Sequence, residues 1–92
     1  MDVLTDEQVA ERLTGLGGWT RQGDGIVHVE SLADFRAALL YVGAVGYLAE
    51  AANHHPDITV QWNKVTLTLS THSAGGLTTK DFALAEQVSR LS

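Results

Sequence analysis

The sequence predicts an α+β fold: a four-stranded antiparallel sheet with three helices on one face, in the order α-β-β-α-β-β-α. Three observations predict it. At three places a Ser or Thr stands three residues before a Gln or Asp and opens a stretch with helical apolar spacing. Two pairs of short segments read as strands, each pair joined by a turn signal. No β-α-β-α-β run occurs, which argues against a doubly wound parallel sheet.

The first capping box is Thr5 with Gln8, and Val9 and Leu13 lie four apart behind it, so a short helix runs to about Thr14. Gly15, Gly17 and Gly18 break it. Trp19 to Gln22 forms a strand, Asp24-Gly25 signals a hairpin, and Ile26 to Glu30 is its partner. Ser31 with Asp34 is the second box and opens the longest helix, roughly Leu32 to Asn53. Phe35, Leu39, Val42, Gly46 and Ala49 share a stripe on it, with Leu40, Tyr47 and Ala51 elsewhere around the circumference. No side chain between Arg36 and Glu50 is charged. A helix apolar nearly all round cannot hide every side against one small sheet, so another subunit is expected to cover its outer face. Pro56 ends that region.

Ile58, Val60 and Trp62 alternate with Thr59 and Gln61, and Val65, Leu67 and Leu69 alternate with Thr66, Thr68 and Ser70. Both read as amphipathic strands, with Asn63-Lys64 as the turn. Gly75-Gly76 breaks the chain. Thr78 with Asp81 is the third box, and Leu84, Val88 and Leu91 stripe the last helix.

Composition bounds the function. Ninety-two residues with 45% hydrophobic and 18% charged side chains make one domain, residues 1–92, with an ordinary globular balance. Six Lys+Arg against eleven Asp+Glu give a net charge of −5, with no basic cluster, so nucleic acid is not an expected partner. The absence of cysteine excludes disulfide scaffolds, thiolate metal sites and thiol nucleophiles. The acidic start Met1-Asp2-Val3-Leu4-Thr5-Asp6-Glu7 does not read as a signal peptide. The uncharged stretch Ala37 to Ala49 is shorter than the ~20 residues of a membrane span. No membrane partner is expected, and the cytoplasm is the expected compartment.

Of four histidines, three belong to one pattern: Glu50, three residues, His54-His55-Pro56, then Trp62, His72 and Asp81. His54 and His55 fall at the end of the long helix, before a proline that forces extended backbone. By parity His72 continues the Thr66, Thr68, Ser70 face. His28 alternates with Val27 and Val29 and reads as an exposed strand residue. Three imidazoles and two carboxylates suit proton transfer at neutral pH, because histidine titrates near ~6.5 and a carboxylate can fix its tautomer. Each residue also has a structural reading: His-His before Pro is a tolerable helix end, and Asp81 is explained by capping. Three histidines could hold zinc, but no HExxH pair is present and adjacent rings point apart, so no metal is expected. GxGxxG, P-loop and GxSxG motifs are absent, and Gly15-Leu16-Gly17-Gly18 precedes a strand, which makes it a connector.

The segment Ala49-Glu50-Ala51-Ala52-Asn53-His54-His55-Pro56, then Trp62, Leu69-Ser70-Thr71-His72, Gly75-Gly76-Leu77-Thr78 and Asp81, resembles the pterin-4a-carbinolamine dehydratase family. The strict motif covers about a third of the chain, and the element order with Gly18-Trp19 extends the likeness to nearly all of it. The resemblance implies a four-stranded antiparallel sheet with three helices on one face, and dehydration of 4a-hydroxytetrahydropterin to quinonoid dihydropterin. That step recycles the cofactor of aromatic amino acid hydroxylases. It further implies no bound cofactor or metal, essential histidines at His54, His55 and His72, and associated carboxylates at Glu50 and Asp81. Glu50, Pro56, Trp62 and Asp81 stand at motif positions that would bind the pterin. The second strand departs from the family, which often has an aromatic there where this chain has Val27, Val29 and Glu30. Some proteins resembling the family act instead as partners or dimerisation factors, so a non-catalytic pterin-binding or partner module is the alternative. The expected partners are thus a pterin and further copies of the chain, as a dimer or tetramer through the long helix.

Overall fold

A computed structural model describes residues 2–91. It contains α1 (Asp6–Thr14), β1 (Trp19–Gln22), β2 (Gly25–Ser31), α2 (Phe35–Ala52), β3 (Asp57–Gln61), β4 (Lys64–Leu69) and α3 (Thr79–Ser89), with a 3-10 turn at His72–Ala74. The four strands form one antiparallel sheet in the order β1-β2-β4-β3. The fold class and element order are those the sequence predicts.

Register fixes which side chains meet the helices. Ile26 pairs with Leu69, His28 and Ile58 flank Leu67, and Glu30 and Val60 flank Val65, so these residues share one face. On that face Ile26, Val65, Leu67 and Leu69 are buried together with Val9 of α1, Ala38, Tyr41, Val45 and Ala49 of α2, and Phe82, Leu84, Ala85 and Val88 of α3. The opposite face carries Thr66, Thr68, Thr59 and the exposed Val29.

Several local expectations are corrected. Ser31 is the last residue of β2, and Asp34 itself caps α2 by accepting from the Ala37 N–H at 2.8 Å. Leu32 is held out of the helix because its N–H donates to Asn63 O while the Asn63 amide donates back to Leu32 O. Of the expected stripe on α2, Ala49 is buried and Val42 packs against the core, whereas Phe35 and Leu39 are exposed; the other buried positions are Ala38, Tyr41 and Val45. The β1–β2 turn uses Gly23 (φ 57°) and Asp24, since Gln22 pairs with Gly25. A Cβ on Gly25 would meet Leu69 O at 3.1 Å, so that glycine serves sheet packing. The β3–β4 turn is Trp62-Asn63, because Gln61 pairs with Lys64. Leu91 lies beyond α3 and is exposed.

His28 does not face outward. Its ring stacks on Trp19 (centroids 5.2 Å apart), Nδ1 lies 2.7 Å from Gly18 O and Nε2 2.7 Å from Glu30 Oε1. A polar residue is accommodated on the helix side because an indole face and two acceptors surround it. Gly18 (φ 86°) permits that approach, as a Cβ there would crowd the His28 ring at 3.2 Å.

By length and composition α2 compares with a short membrane span, at 18 residues and mean hydropathy 1.2. Its buried stripe nevertheless forms part of the core of this fold, while Leu40 and Tyr47 on its outer side are 67% and 76% exposed.

Candidate active site

The site begins where α2 stops. Asn53 adopts the left-handed conformation (φ 49°), its N–H donates to Glu50 O, and the His54 N–H donates to Ala49 O. This closes the helix in the manner of a left-handed cap. Pro56 then demands extended backbone, in which successive side chains point to opposite sides. His54 therefore turns inward, 9% exposed, and His55 turns outward.

His54 Nε2 lies 2.6 Å from Asp81 Oδ1. Asp81 is fully buried in the first turn of α3, and its second oxygen accepts from the Thr78 N–H at 2.9 Å and the Thr71 hydroxyl at 2.8 Å. The capping and site readings of this aspartate are both met, one by each oxygen. A buried carboxylate without partners would be costly, and here donors occupy both oxygens. An ionised carboxylate only accepts, so its contact with His54 assigns a ring proton to Nε2 and leaves Nδ1 as the other nitrogen of the imidazole.

His55 Nε2 lies 2.5 Å from Glu50 Oε2, from the last turn of α2. Both side chains are open to solvent, 58% and 77% exposed. His72 opens the 3-10 turn just after β4, rather than continuing the strand, and is exposed. Its Nε2 stands 3.4 Å from Ser70 Oγ, consistent with the expected polar side. Its turn is closed by backbone N–H groups of Ala74 and Gly75 donating to Thr71 O.

The structure thus gathers Glu50 with His55 and Asp81 with His54, and Thr71 links Asp81 to the turn bearing His72. Pro56 is half-buried between His55 and β3. Trp62 has no contact with either histidine–carboxylate pair among the described residues. It occupies the far turn of β3, roughly 15–20 Å of extended chain from Pro56, is 67% exposed, and has a φ of 53°. That conformation is unusual for a bulky residue, and the bonds between Asn63 and Leu32 brace the turn that imposes it. Sequence reading missed Thr71, whose hydroxyl is decisive for Asp81; only its place before His72 hinted at it. Among the described residues no three His, Asp or Glu side chains converge as metal ligands. A concavity lined by Gln8, Glu11, Arg12, Thr14 and Gly15 lies on α1 and includes none of these residues.

Imidazoles whose Nε2 atoms rest on carboxylates can exchange protons through Nδ1, which is the equipment of general acid–base chemistry. The sequence profile described as pterin 4 alpha carbinolamine dehydratase matches residues 2–91. A relative from Roseiflexus castenholzii is 54% identical, with 97% of this chain and 96% of the relative covered. One from Nocardia farcinica is 50% identical over 99% and 96% of the two chains. Both bear the name pterin-4-alpha-carbinolamine dehydratase as a provisional one. A crystal structure described as a transcriptional coactivator/pterin dehydratase from Brucella melitensis superposes with a TM-score of 0.93 at 29% identity, covering 98% of each chain. A structure of a pterin dehydratase-like protein identified as a RuBisCO assembly factor shares the fold, with a TM-score of 0.68 at 22% identity over 80% and 88%. With its profile matched along nearly its whole length, the chain belongs to the pterin 4 alpha carbinolamine dehydratase family.

Proposed function

We propose that this protein dehydrates 4a-hydroxytetrahydropterin to quinonoid dihydropterin by histidine general acid–base catalysis, and so recycles the pterin cofactor of aromatic amino acid hydroxylases. The observation that carries the reading is the pair of adjacent histidines, each with Nε2 on a carboxylate, within a chain of this family. In the reaction the bond from C4a to the hydroxyl oxygen breaks, and that oxygen leaves as water after receiving a proton. A neighbouring ring nitrogen supplies the electron pair for the new C=N bond, and the ring's surplus proton passes to a base. Two histidines in opposite protonation states perform both transfers, each contributing on the order of 10²–10⁴ in rate. His54, His55 and His72 are the candidates, with Asp81 and Glu50 as orienting carboxylates. Pro56 shapes the approach, and Trp62 enters only through the family motif, since β3 carries it away from the histidines.

The test is stopped-flow measurement of carbinolamine dehydration by the purified protein. Acceleration well above the uncatalysed rate supports the reading, and its absence refutes it. Dialysis against a strong chelator is expected to leave the rate unchanged; a loss restored by zinc would overturn the metal-free mechanism.

Self-association through α2 is part of the proposal, because Leu39, Leu40 and Tyr47 expose apolar surface beside the small residues Gly43, Ala44 and Gly46. Sedimentation at micromolar concentration is expected to show a species larger than the 9.9 kDa chain, and a charge placed at Leu40 or Tyr47 to reduce it. The same exposed helix favours a second reading as a partner-binding module, and the dehydration assay separates the two. The cytoplasm is the proposed compartment.

A further inference from the structure

We infer that Thr71 is a positioning residue for His54, and that its hydroxyl also ties the His54 site to the turn that carries His72; the catalytic consequence rests on the reaction proposed above. The argument is one of donors and acceptors. Asp81 as a carboxylate only accepts, so the hydroxyl proton of Thr71 points at Oδ2, 2.8 Å away. With that proton committed, the 2.9 Å contact between Thr71 Oγ1 and Thr78 Oγ1 uses the proton of Thr78. Thr78 Oγ1 in turn accepts from the Lys80 N–H at 3.3 Å. The chain of hydrogen bonds therefore runs one way, from the start of α3 through Thr78 and Thr71 into Asp81.

All of this is buried: Thr71 is 4% exposed, and Thr78 and Asp81 are not exposed at all. Oδ2 is filled by the Thr71 hydroxyl and the Thr78 N–H, so the carboxylate cannot rotate without abandoning a buried donor. Oδ1 is thereby fixed towards His54 Nε2, so that in the neutral ring the proton sits on Nε2 and Nδ1 is the free nitrogen. The backbone of the same threonine organises His72. Its C=O accepts from Ala74 and Gly75, each at 3.0 Å, and its N–H donates to Gly76 O at 3.0 Å. One residue thus sets the orientation of a buried histidine by its side chain and the turn of an exposed one by its main chain.

The experiment compares wild type, Thr71→Val, which keeps the shape without the hydroxyl, and Thr71→Ser, which keeps the hydroxyl. The primary readout is the His54 Nε2–H proton in the NMR spectrum, whose solvent exchange reports how firmly the ring is held on Asp81 and needs no substrate. Wild type and Thr71→Ser are expected to show a slowly exchanging Nε2–H, and Thr71→Val one that exchanges about tenfold faster. In the dehydration assay Thr71→Val is expected to lose about tenfold in kcat with KM within about twofold, as for one hydrogen bond to a charged group, and Thr71→Ser to recover most of it. An unchanged Nε2–H exchange rate in a folded Thr71→Val protein overturns the inference, even if the dehydration rate falls. If Thr71→Val does not fold, wild type decides: a slowly exchanging Thr71 hydroxyl proton with a cross-peak to the His54 ring supports it, and an averaged or absent one overturns it. A protein inactive on carbinolamine that still shows the Thr71-dependent exchange of the His54 Nε2–H refutes the proposed activity and leaves the positioning role standing.

Discussion

The His54–Asp81 and His55–Glu50 pairs use the same contact, an imidazole Nε2 against a carboxylate oxygen at 2.6 and 2.5 Å, and differ in almost everything around it. In the first, the two side chains are 10% and 0% exposed, and the carboxylate is shared with a helix cap and a buried hydroxyl. In the second they are 58% and 77% exposed, and among the described residues His55 is the one side-chain partner of the Glu50 carboxylate. Burial makes a hydrogen bond costly to lose, because the stranded group cannot turn to water. Exposure makes the same bond cheap to exchange, because water competes for both partners and salt screens them. One pair is thus suited to hold a ring in a single orientation, and the other to let its ring follow a ligand.

The contrast is broken most directly at Asp81. Asp81→Ala strands the Thr71 hydroxyl, the Thr78 N–H and the His54 ring, and it removes half of the α3 capping box. We expect a loss of about 3 kcal/mol, roughly 12–24 °C in melting temperature for a chain of this size, together with a fall in dehydration rate. A melting temperature within a few degrees of wild type would show that the buried network contributes little.

Leu67→Ala and His72→Ala sharpen the separation of stability from chemistry. Leu67 is fully buried on the helix-facing side of β4, and its truncation is expected to cost about 2–5 kcal/mol while folded molecules keep their turnover. His72 is exposed in its turn, so its removal is expected to move stability by no more than about 0.5 kcal/mol and to cut the rate by roughly 10²-fold. Activity plotted against thermal midpoint should place the two variants at opposite corners.

Tyr41 supplies the converse of Asp81, a buried polar group with no hydrogen-bond partner among the described residues. Burial, and then the charge of Glu30, push its phenol from the ordinary 10 up to about 12. Because the folded state holds this proton more tightly, its stability is full below pH 10 and declines as pH rises from 10 towards 12. Tyr41→Phe is expected to flatten that decline and, at neutral pH, to leave stability equal or slightly higher. A clear destabilisation by Tyr41→Phe would mean that the hydroxyl has a partner after all.

The smallest effect belongs to the exposed pair. Glu50→Gln is expected to alter stability by no more than about 0.5 kcal/mol, and raising salt from ~0.1 M to ~1 M, which shortens the screening length from about 10 to 3 Å, should weaken His55–Glu50 selectively. His55 and His54 ring signals followed by NMR through the salt series would show whether only the exposed one responds.

What the sequence made legible follows the same division between local and distant causes. The Thr5–Gln8 and Thr78–Asp81 boxes, the helix end before His54-His55-Pro56 and the core side of β4 depend on neighbours a few residues away, and the structure contains them. The start of α2 depends on Asn63, some thirty residues on, which claims Leu32 for the β3–β4 turn. The inward side of α2 starts at Ala38, a small side chain with a weak apolar signal, while the larger Phe35 and Leu39 point outward. His28 was misplaced by parity because Trp19 and Glu30 make a polar niche on the core side of β2. In the site, the common motif of the three histidines with Glu50 and Asp81 is readable as a family spacing, whereas the pairing of His54 with Asp81 and the Thr71 hydroxyl beside it require the packed structure.

The central claim, that His54, His55 and His72 perform the dehydration, is met most directly by one stopped-flow comparison. Wild type is set against a variant with His54, His55 and His72 all changed to Ala, at equal concentrations of folded protein. The account predicts rapid carbinolamine dehydration by wild type and the uncatalysed rate with the triple variant. A folded triple variant that retains a substantial part of the wild-type rate would contradict it.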